Sequence, residues 1–231
     1  RLIKKNTFAS NLFFIKWANQ FNIHVGGMNV LRGFLEENIE DIREGIQNLH
    51  YMRFYRLGTM YKHEISSLAV NKASKYFKDV SKSELQMLYS DAVKEMLPDD
   101  FLAFEESLSI YQYVRRFQLP AWEYFSSIEA HYAKNSYTYE ILRLSNKTIR
   151  YIEYYNSASV RTIDFDESGI AWKILKLADT SIIPLEQLYT ILDCNIDFIN
   201  KEIEKLRDVG ILYVGKHSKE CVSIINLLNI L

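Results

Sequence analysis

The residues able to do chemistry are few and widely spaced. The chain holds two cysteines, Cys194 and Cys221, and five histidines, His24, His50, His63, His131 and His217. No two of them stand at the short spacings that chelate zinc. Both cysteines sit in apolar stretches, where a thiol packs as a small hydrophobe, so buried free thiols are expected. A histidine with no ligand beside it is more often packed or solvated than metal-bound. Gly26-Gly27 and Gly33 lack the spacing and the helix start of a dinucleotide fingerprint. Glu36-Glu37 with Glu40-Asp41 is a carboxylate cluster, and a solvated helix start accounts for it, because acidic side chains favour the positive end of the helix dipole. No Ser, His and Asp set stands out as a catalytic triad.

Hydrophobic periodicity places the elements that would position a site. Residues 8–21 read as a helix with Leu12, Ile15 and Trp17 among its apolar positions and Ser10 or Asn11 as its cap. Residues 23–34 become β-prone around Val25 and over 28–31, a buried strand ending at Gly33. A helical period follows at Ile39, Ile42, Ile46 and Leu49. Helix, strand, loop and helix in that order are a piece of α/β structure with parallel strands, and residues 54–65 offer a second strand. Residues 71–95 carry helical patches and a turn near Ser81. Pro98-Asp99-Asp100 opens a helix over 101–116, and Pro120 opens another. The period then switches to two. Runs at 137–146, 147–156 and 159–165, with short polar gaps, predict a three-stranded antiparallel meander. Tyr137, Tyr139, Tyr151, Tyr154 and Tyr155 give it an aromatic surface.

Residues 168–225 read as three helices and a hairpin. Ile170, Ile174, Leu175 and Leu177 mark the first helix. Pro184 sits one residue inside the second, where its fixed φ helps and its missing N–H costs nothing; Leu185, Leu188 and Ile191 continue it. Asp193 or Asn195 caps the third. Its apolar positions are Phe198, Ile199, Ile203, Leu206 and Val209, and Gly210 closes it. A strand at 211–214, a turn at 215–218 and a return strand at 220–225 complete the order of a winged helix. Charge argues against DNA as its ligand. Residues 166–231 carry seven Lys or Arg against ten Asp or Glu, a net of −3. The third helix, which would read DNA, brings Asp193, Asp197, Glu202, Glu204 and Asp208, and phosphate neutralisation supplies most non-specific DNA affinity. A peptide or protein partner fits better, added as a strand along the hairpin edge with Tyr213 and Val222 behind it. Core packing is the competing reading for both residues.

The whole chain has 231 residues, 48% of them apolar, with 8 Gly, 3 Pro and a net charge of −1. That is enough to bury a core, too little Gly and Pro for a loop-rich fold, and no electrostatic pull toward nucleic acid or anionic membrane. No apolar run reaches the length that spans a bilayer, about 20 residues, and no signal-peptide pattern is present. Two scattered cysteines suit a cytoplasmic, reducing location. The opening at Arg1, without cap or turn, suggests that a longer protein extends on the N-terminal side. Residues 1–97 form a partial βα region, 98–165 helices and the meander, and 166–231 the winged-helix-like domain.

The order of KWANQFNI, HVGGMNVLRGF, LEENIEDI and a helix to NLHYM resembles the late βα units of a radical SAM barrel. More narrowly, it resembles the cobalamin-type radical SAM enzymes that modify ribosomally made peptides. In that group a Lys-Trp helix precedes a strand reading Asn-aliphatic-Leu-x-Gly-Phe-Pro-Gly-Glu, and the next helix begins with an acidic residue and ends in Leu-His. Lys16-Trp17, Asn29, Leu31, Gly33, Phe34, Glu37, Asp41 and Leu49-His50 match; Leu35 and Glu36 replace the Pro and Gly. Ser74-Lys75-Tyr76-Phe77 echoes a Ser-Pro-Tyr-Phe segment of the family, again without its Pro. The resemblance implies that Asn29, Gly33 and Phe34 approach S-adenosylmethionine and that the meander and winged helix hold a precursor peptide. It also implies a [4Fe–4S] cluster and cobalamin, both carried by an N-terminal part or a separate radical SAM chain. A cluster needs closely spaced cysteines; this chain has no CxxxCxxC and is expected to be inactive alone. A non-catalytic winged helix that binds a peptide or protein is the alternative, with a DNA-binding regulator behind it.

Overall fold

The computed structural model describes residues 7–26, 29–34, 37–55, 64–67, 69–71, 87–89, 111–114, 119–144 and 147–229. Helix α1 spans Phe8–Gln20. Its cap is Thr7, whose hydroxyl accepts from the Ser10 N–H at 3.2 Å, and not Ser10 or Asn11. Thr7 is the residue that leaves helical backbone geometry, and a cap must do so. At the other end Asn22, at φ +53°, lets the Ile23 N–H reach the Ala18 carbonyl and the Asn22 N–H reach that of Asn19, a Schellman closure.

Strand β1, Asn29–Arg32, pairs in parallel with β2, Glu64–Ser67, joining Asn29 to Glu64 and Arg32 to Ser67. Between them runs helix α2, Ile39–Tyr51, started by a capping box in which Asn38 and Asp41 each accept the other's backbone N–H. The parallel pairing follows the sequence pattern, and the boundaries do not. The first strand is the four residues of β1, not 23–34. The second lies at the end of the expected 54–65 run, and Phe54 sits in the turn after α2.

Strands β3 (Ala69–Asn71), β4 (Met87–Tyr89) and β5 (Tyr111–Val114) form an antiparallel sheet in the order β3-β5-β4. This corrects two readings. Met87–Tyr89 falls in the stretch read as helical, and Tyr111–Val114 falls in the expected 101–116 helix. In the second case β-prone Tyr, Tyr and Val override the helical start signal at Pro98. The rest of both stretches, and the Ser81 turn, lie outside the described residues.

Helix α3, Ala121–Lys134, opens after Pro120 as expected. It packs on α2 through Ile42, Leu49, Trp122 and Phe125. The meander is β6 (Tyr137–Arg143), β7 (Thr148–Tyr155) and β8 (Ala158–Asp166), in the order β6-β7-β8. Asn156 and Ser157, both at positive φ, make the two-residue β7–β8 turn. Its aromatic side is less a surface than an inner wall, because Ile141, Ile149 and Tyr151 are fully buried.

They are buried by the C-terminal region: α4 (Ile170–Thr180), β9 (Ile183–Pro184), α5 (Leu185–Leu192), α6 (Ile196–Val209), β10 (Leu212–Val214) and β11 (Glu220–Ser223). The three strands form one antiparallel sheet in the order β10-β11-β9. Trp172, Leu175, Leu188, Ile199, Leu206 and Leu212 join the meander residues in a single core, each side chain stabilising the fold by about 1.5–3 kcal/mol. Packing therefore continues across residue 166.

Three details differ from the sequence reading. Pro184 is extended (φ −63°, ψ 143°); it caps α5 and pairs with Glu220, adding a strand to the hairpin. Asn195, and not Asp193, caps α6, while Asp193 is the left-handed residue that ends α5. Ile191 and Phe198 are exposed. Among the described residues no barrel closes; the chain is α/β, with small sheets and packed helices.

Gly210 ends α6 at φ +76°, and a Cβ there would stand 2.3 Å from His50 Nε2 and 2.9 Å from Arg53 Nη1. Gly210→Ala is expected to destabilise by about 3 kcal/mol, adding backbone strain to displacement of two packed side chains; urea unfolding of the pair measures it.

Candidate functional site

Three places bear on function, and the first is the end of β1. Gly33 turns the chain at φ +95°, a conformation that only glycine adopts without strain. Its N–H donates to Glu37 Oε2 at 2.9 Å, and Trp122 Nε1 donates to Glu37 Oε1 at 2.7 Å. Glu37 thus pins the turn to α3 and spends its carboxylate doing so. A Cβ on Gly33 would meet nothing within 4 Å. Gly33 and the half-buried Phe34 lie at the C-terminal end of the parallel strand, where α/β folds bind ligands. Asn29 begins the same strand, about 13 Å away at the rise of a β-strand. The structure brings Gly33 and Phe34 together and sets Asn29 at the opposite end.

The second place is the hairpin. Tyr213 pairs with Val222 across β10 and β11. Both are buried, packed with Ala9, Leu12 and Ile15 of α1 and with Met52. Phe8 and Tyr51 meet the Tyr213 ring edge-on at 5.2 Å. These two side chains are core, and α1 covers the sheet face they occupy.

The third place was not visible in the sequence. Arg53 follows α2, and its guanidinium is completely buried. Nε and Nη2 donate to the two Glu153 oxygens at 2.8 and 3.2 Å. Nη1 donates to the carbonyls of His50 (3.0 Å) and Gly210 (2.9 Å), and Nη2 also to that of Val209 (3.2 Å). Glu153 further accepts from the Tyr151 hydroxyl at 3.0 Å and from Arg161 at 3.3 Å, and Arg161 caps Val209 at 2.7 Å. Burial works against the Glu153 carboxylate, but Arg53, Tyr151 and Arg161 outweigh it and hold its pKa below the usual range. No motif carries this cluster, because Arg53 and Glu153 are 100 residues apart; unpaired charges inside otherwise apolar runs were the only trace.

Beside the cluster, α2 and α6 border an open groove of about 600 Å³ lined by Gln47, His50, Tyr51, Glu204, Arg207 and Asp208. His50 Nδ1 and the Tyr132 hydroxyl lie 3.0 Å apart. Burial and the Arg53 charge lower the His50 pKa to about 4, and Arg161 adds to this while Glu153 opposes it. Burial raises that of Tyr132. Both groups are therefore neutral near pH 7, and their hydrogen bond is structural. The groove offers hydrogen bonds, an aromatic wall and charges of both signs, which is the chemistry of binding.

Cys194 is an exposed loop residue, against expectation, and Cys221 is buried, its pKa pushed up to about 12 by burial. Among the described residues no group of three or more His, Cys, Asp or Glu is placed to hold a metal ion, and no helix is long and apolar enough to cross a membrane. Compared with family models, curated proteins and solved structures, the chain matches none.

The His50 shift has a definite sign. Between pH 6.5 and about 4 the unfolded chain takes up a proton that the folded chain refuses, so stability falls as pH falls through that window. Glu153, with its lowered pKa, keeps its full contribution above the usual carboxylate range and loses it progressively as the pH falls below that range. In His50→Asn, which keeps a polar atom toward Tyr132, stability measured by urea unfolding is expected to decline less over the same window.

Proposed function

We propose that this chain is the C-terminal portion of a radical SAM enzyme that modifies a ribosomally synthesised peptide, and that it contributes peptide or partner binding. The observation that carries the proposal is the parallel β1–α2–β2 unit with its glycine turn. It lies where the resemblance puts a strand, a Gly-Phe turn and a helix ending in Leu-His, and it has the hand-over from strand to helix that barrel βα units require. The C-terminal order of α4, β9, α5, α6, β10 and β11 is that of a winged helix, the module that follows in the same family. Two free cysteines suit a cytoplasmic protein.

The cofactors divide by fit. Cys194 and Cys221 stand apart in the fold, one exposed and one buried, and do not suit a [4Fe–4S] cluster, which would have to be held by another segment or chain. With nothing within 4 Å of where a Gly33 Cβ would stand, that turn would leave room for the adenosyl group of S-adenosylmethionine, although the Gly33 N–H is already given to Glu37. Cobalamin enters by family resemblance alone. Asn29 belongs to a shared subsite only if the ligand lies along β1.

A second reading, a non-catalytic winged helix that holds a peptide or protein, is favoured by the groove against α6, which needs no cofactor. Exposed Asp197, Glu204 and Asp208 on α6 weigh against the DNA-binding alternative.

Affinity capture of the tagged chain from its source lysate, with masses of bound chains read, separates these readings. Recovery of a chain bearing CxxxCxxC or of a short precursor peptide is expected. Repeated recovery of neither would overturn the enzyme reading and leave the stand-alone binding role.

A further inference from the structure

We infer that Tyr132 and Tyr137, each hydrogen-bonded to a histidine, form a relay that carries a one-electron oxidation from the α2–α6 groove to the protein surface. The inference does not rest on the radical SAM reading. What carries it is a pair of phenol–imidazole bonds set back to back. The Tyr132 hydroxyl lies 3.0 Å from His50 Nδ1, and the Tyr137 hydroxyl lies 3.0 Å from His131 Nε2. The two phenol rings stand 5.5 Å apart between centroids. At one end His50 and Tyr51, with rings 6.1 Å apart, line the groove. At the other end Tyr155 lies 5.0 Å from Tyr137, and the exposed His131 stacks on Tyr155 at 6.0 Å with planes 12° apart. With the ring protons on His50 Nε2 and His131 Nδ1, each phenol donates and each imidazole accepts.

A phenol inside a protein is oxidised together with loss of its proton, because the alternative leaves a buried, unpaired radical cation. Burial raises the pKa of both phenols, so neither gives up its proton beforehand. An imidazole in contact supplies the acceptor as the electron leaves. Tyr151, by contrast, donates to Glu153 at 3.0 Å, a carboxylate already held by Arg53 and Arg161 and a poor base for that reason. At rest the Tyr132–His50 bond is structural; under oxidation it becomes a proton path. A one-electron oxidant in the groove, such as an organic peroxyl radical, takes an electron from Tyr132 and a proton from water to give the hydroperoxide. The phenolic proton passes to His50 Nδ1, which leaves a neutral tyrosyl radical beside an imidazolium. Tyr137 then gives an electron to the Tyr132 radical, His50 returns its proton to the Tyr132 oxygen, and the Tyr137 proton passes to His131 Nε2. Ascorbate, as a soluble reductant, gives Tyr137 an electron and releases its own proton to water, and His131 returns the phenolic proton. Charge sets the direction. Arg53 and Arg161 oppose an imidazolium at His50, which Glu153 only partly offsets, whereas water solvates the same charge at the exposed His131.

Flash oxidation from a fixed point tests this. In a full-length Cys194→Ser background, the exposed groove residue Gln47 is replaced (Gln47→Cys) and labelled with a ruthenium polypyridyl complex, Cys221 being buried. A cobalt(III) ammine quencher then generates the Ru(III) oxidant in place. Time-resolved electron paramagnetic resonance is expected to show a tyrosyl radical on Tyr137, replaced by a longer-lived one on Tyr132 in Tyr137→Phe. Tyr132→Phe is expected to remove most of the Tyr137 signal. His50→Asn keeps an acceptor toward Tyr132 but no base, and is expected to slow radical formation by about a hundredfold, the usual worth of a positioned proton acceptor. In the labelled chain without these substitutions, heavy water is expected to slow the same step. No radical on either tyrosine, a rate unchanged in heavy water, or a Tyr137 signal indifferent to Tyr132→Phe and His50→Asn in folded chains overturns the inference.

Discussion

One buried guanidinium joins α2, the meander and α6. Arginine has five N–H donors, and Arg53 makes five hydrogen bonds, two to Glu153 and three to backbone carbonyls. Those carbonyls belong to the ends of α2 and α6, where helix dipoles present partial negative charge and unpaired acceptors. Glu153 supplies the balancing charge from the middle of the meander, and the Phe54 ring lies 4.1 Å from the guanidinium carbon. Three stretches far apart in sequence meet at one cation. Such a cluster adds little net stability compared with a well-packed apolar core, yet removing one member strands a buried charge at a cost of about 3–5 kcal/mol. Its role is to allow one arrangement of α2, meander and α6.

A second buried pair does the same for α1. Lys16 reaches the backbone carbonyl of Asp179 at 2.6 Å and its carboxylate at 2.9 Å, and Asp179 also accepts from the Leu227 N–H. Desolvation lowers the Lys16 pKa, opposed by the attraction of Asp179. The pair fixes which side of an apolar helix faces in. That choice buries Tyr213 and Val222, leaves Phe14 and Phe21 outside, and closes one face of the hairpin sheet. The groove between α2 and α6 opens beside the Arg53 cluster, which ties the C-terminal ends of both helices.

Local signals in the sequence were sufficient wherever the chemistry is local. The two-residue period between residues 137 and 165, the helix after Pro120 and the Gly210 closure are all present as read. So is the order of helices and hairpin after residue 168. Errors arose where a distant partner decides. Pro184 carries the signature of a first helical residue but is drawn into a strand by Glu220. Tyr111–Val114 follows a helical start signal at Pro98 in the sequence and has two strand partners. Phe198 and Ile191 look like core positions, yet the helices turn other residues inward. The candidate site was half legible. Gly33 and Phe34 share a turn, while Asn29 lies a strand length away. Tyr213 and Val222 could be placed on the hairpin from sequence, but not beneath α1, because nothing local states that Lys16 pairs with Asp179.

The most direct test of this account is a double-mutant cycle on Arg53→Met and Glu153→Leu, read by urea unfolding. If the guanidinium joins α2, meander and α6 through its buried counter-charge, each single substitution is strongly destabilising and the double one much less than their sum. The coupling energy is then about 2–3 kcal/mol. Additive losses, with coupling below about 0.5 kcal/mol, would mean that apolar packing alone sets the arrangement and that the Arg53 cluster is incidental to it.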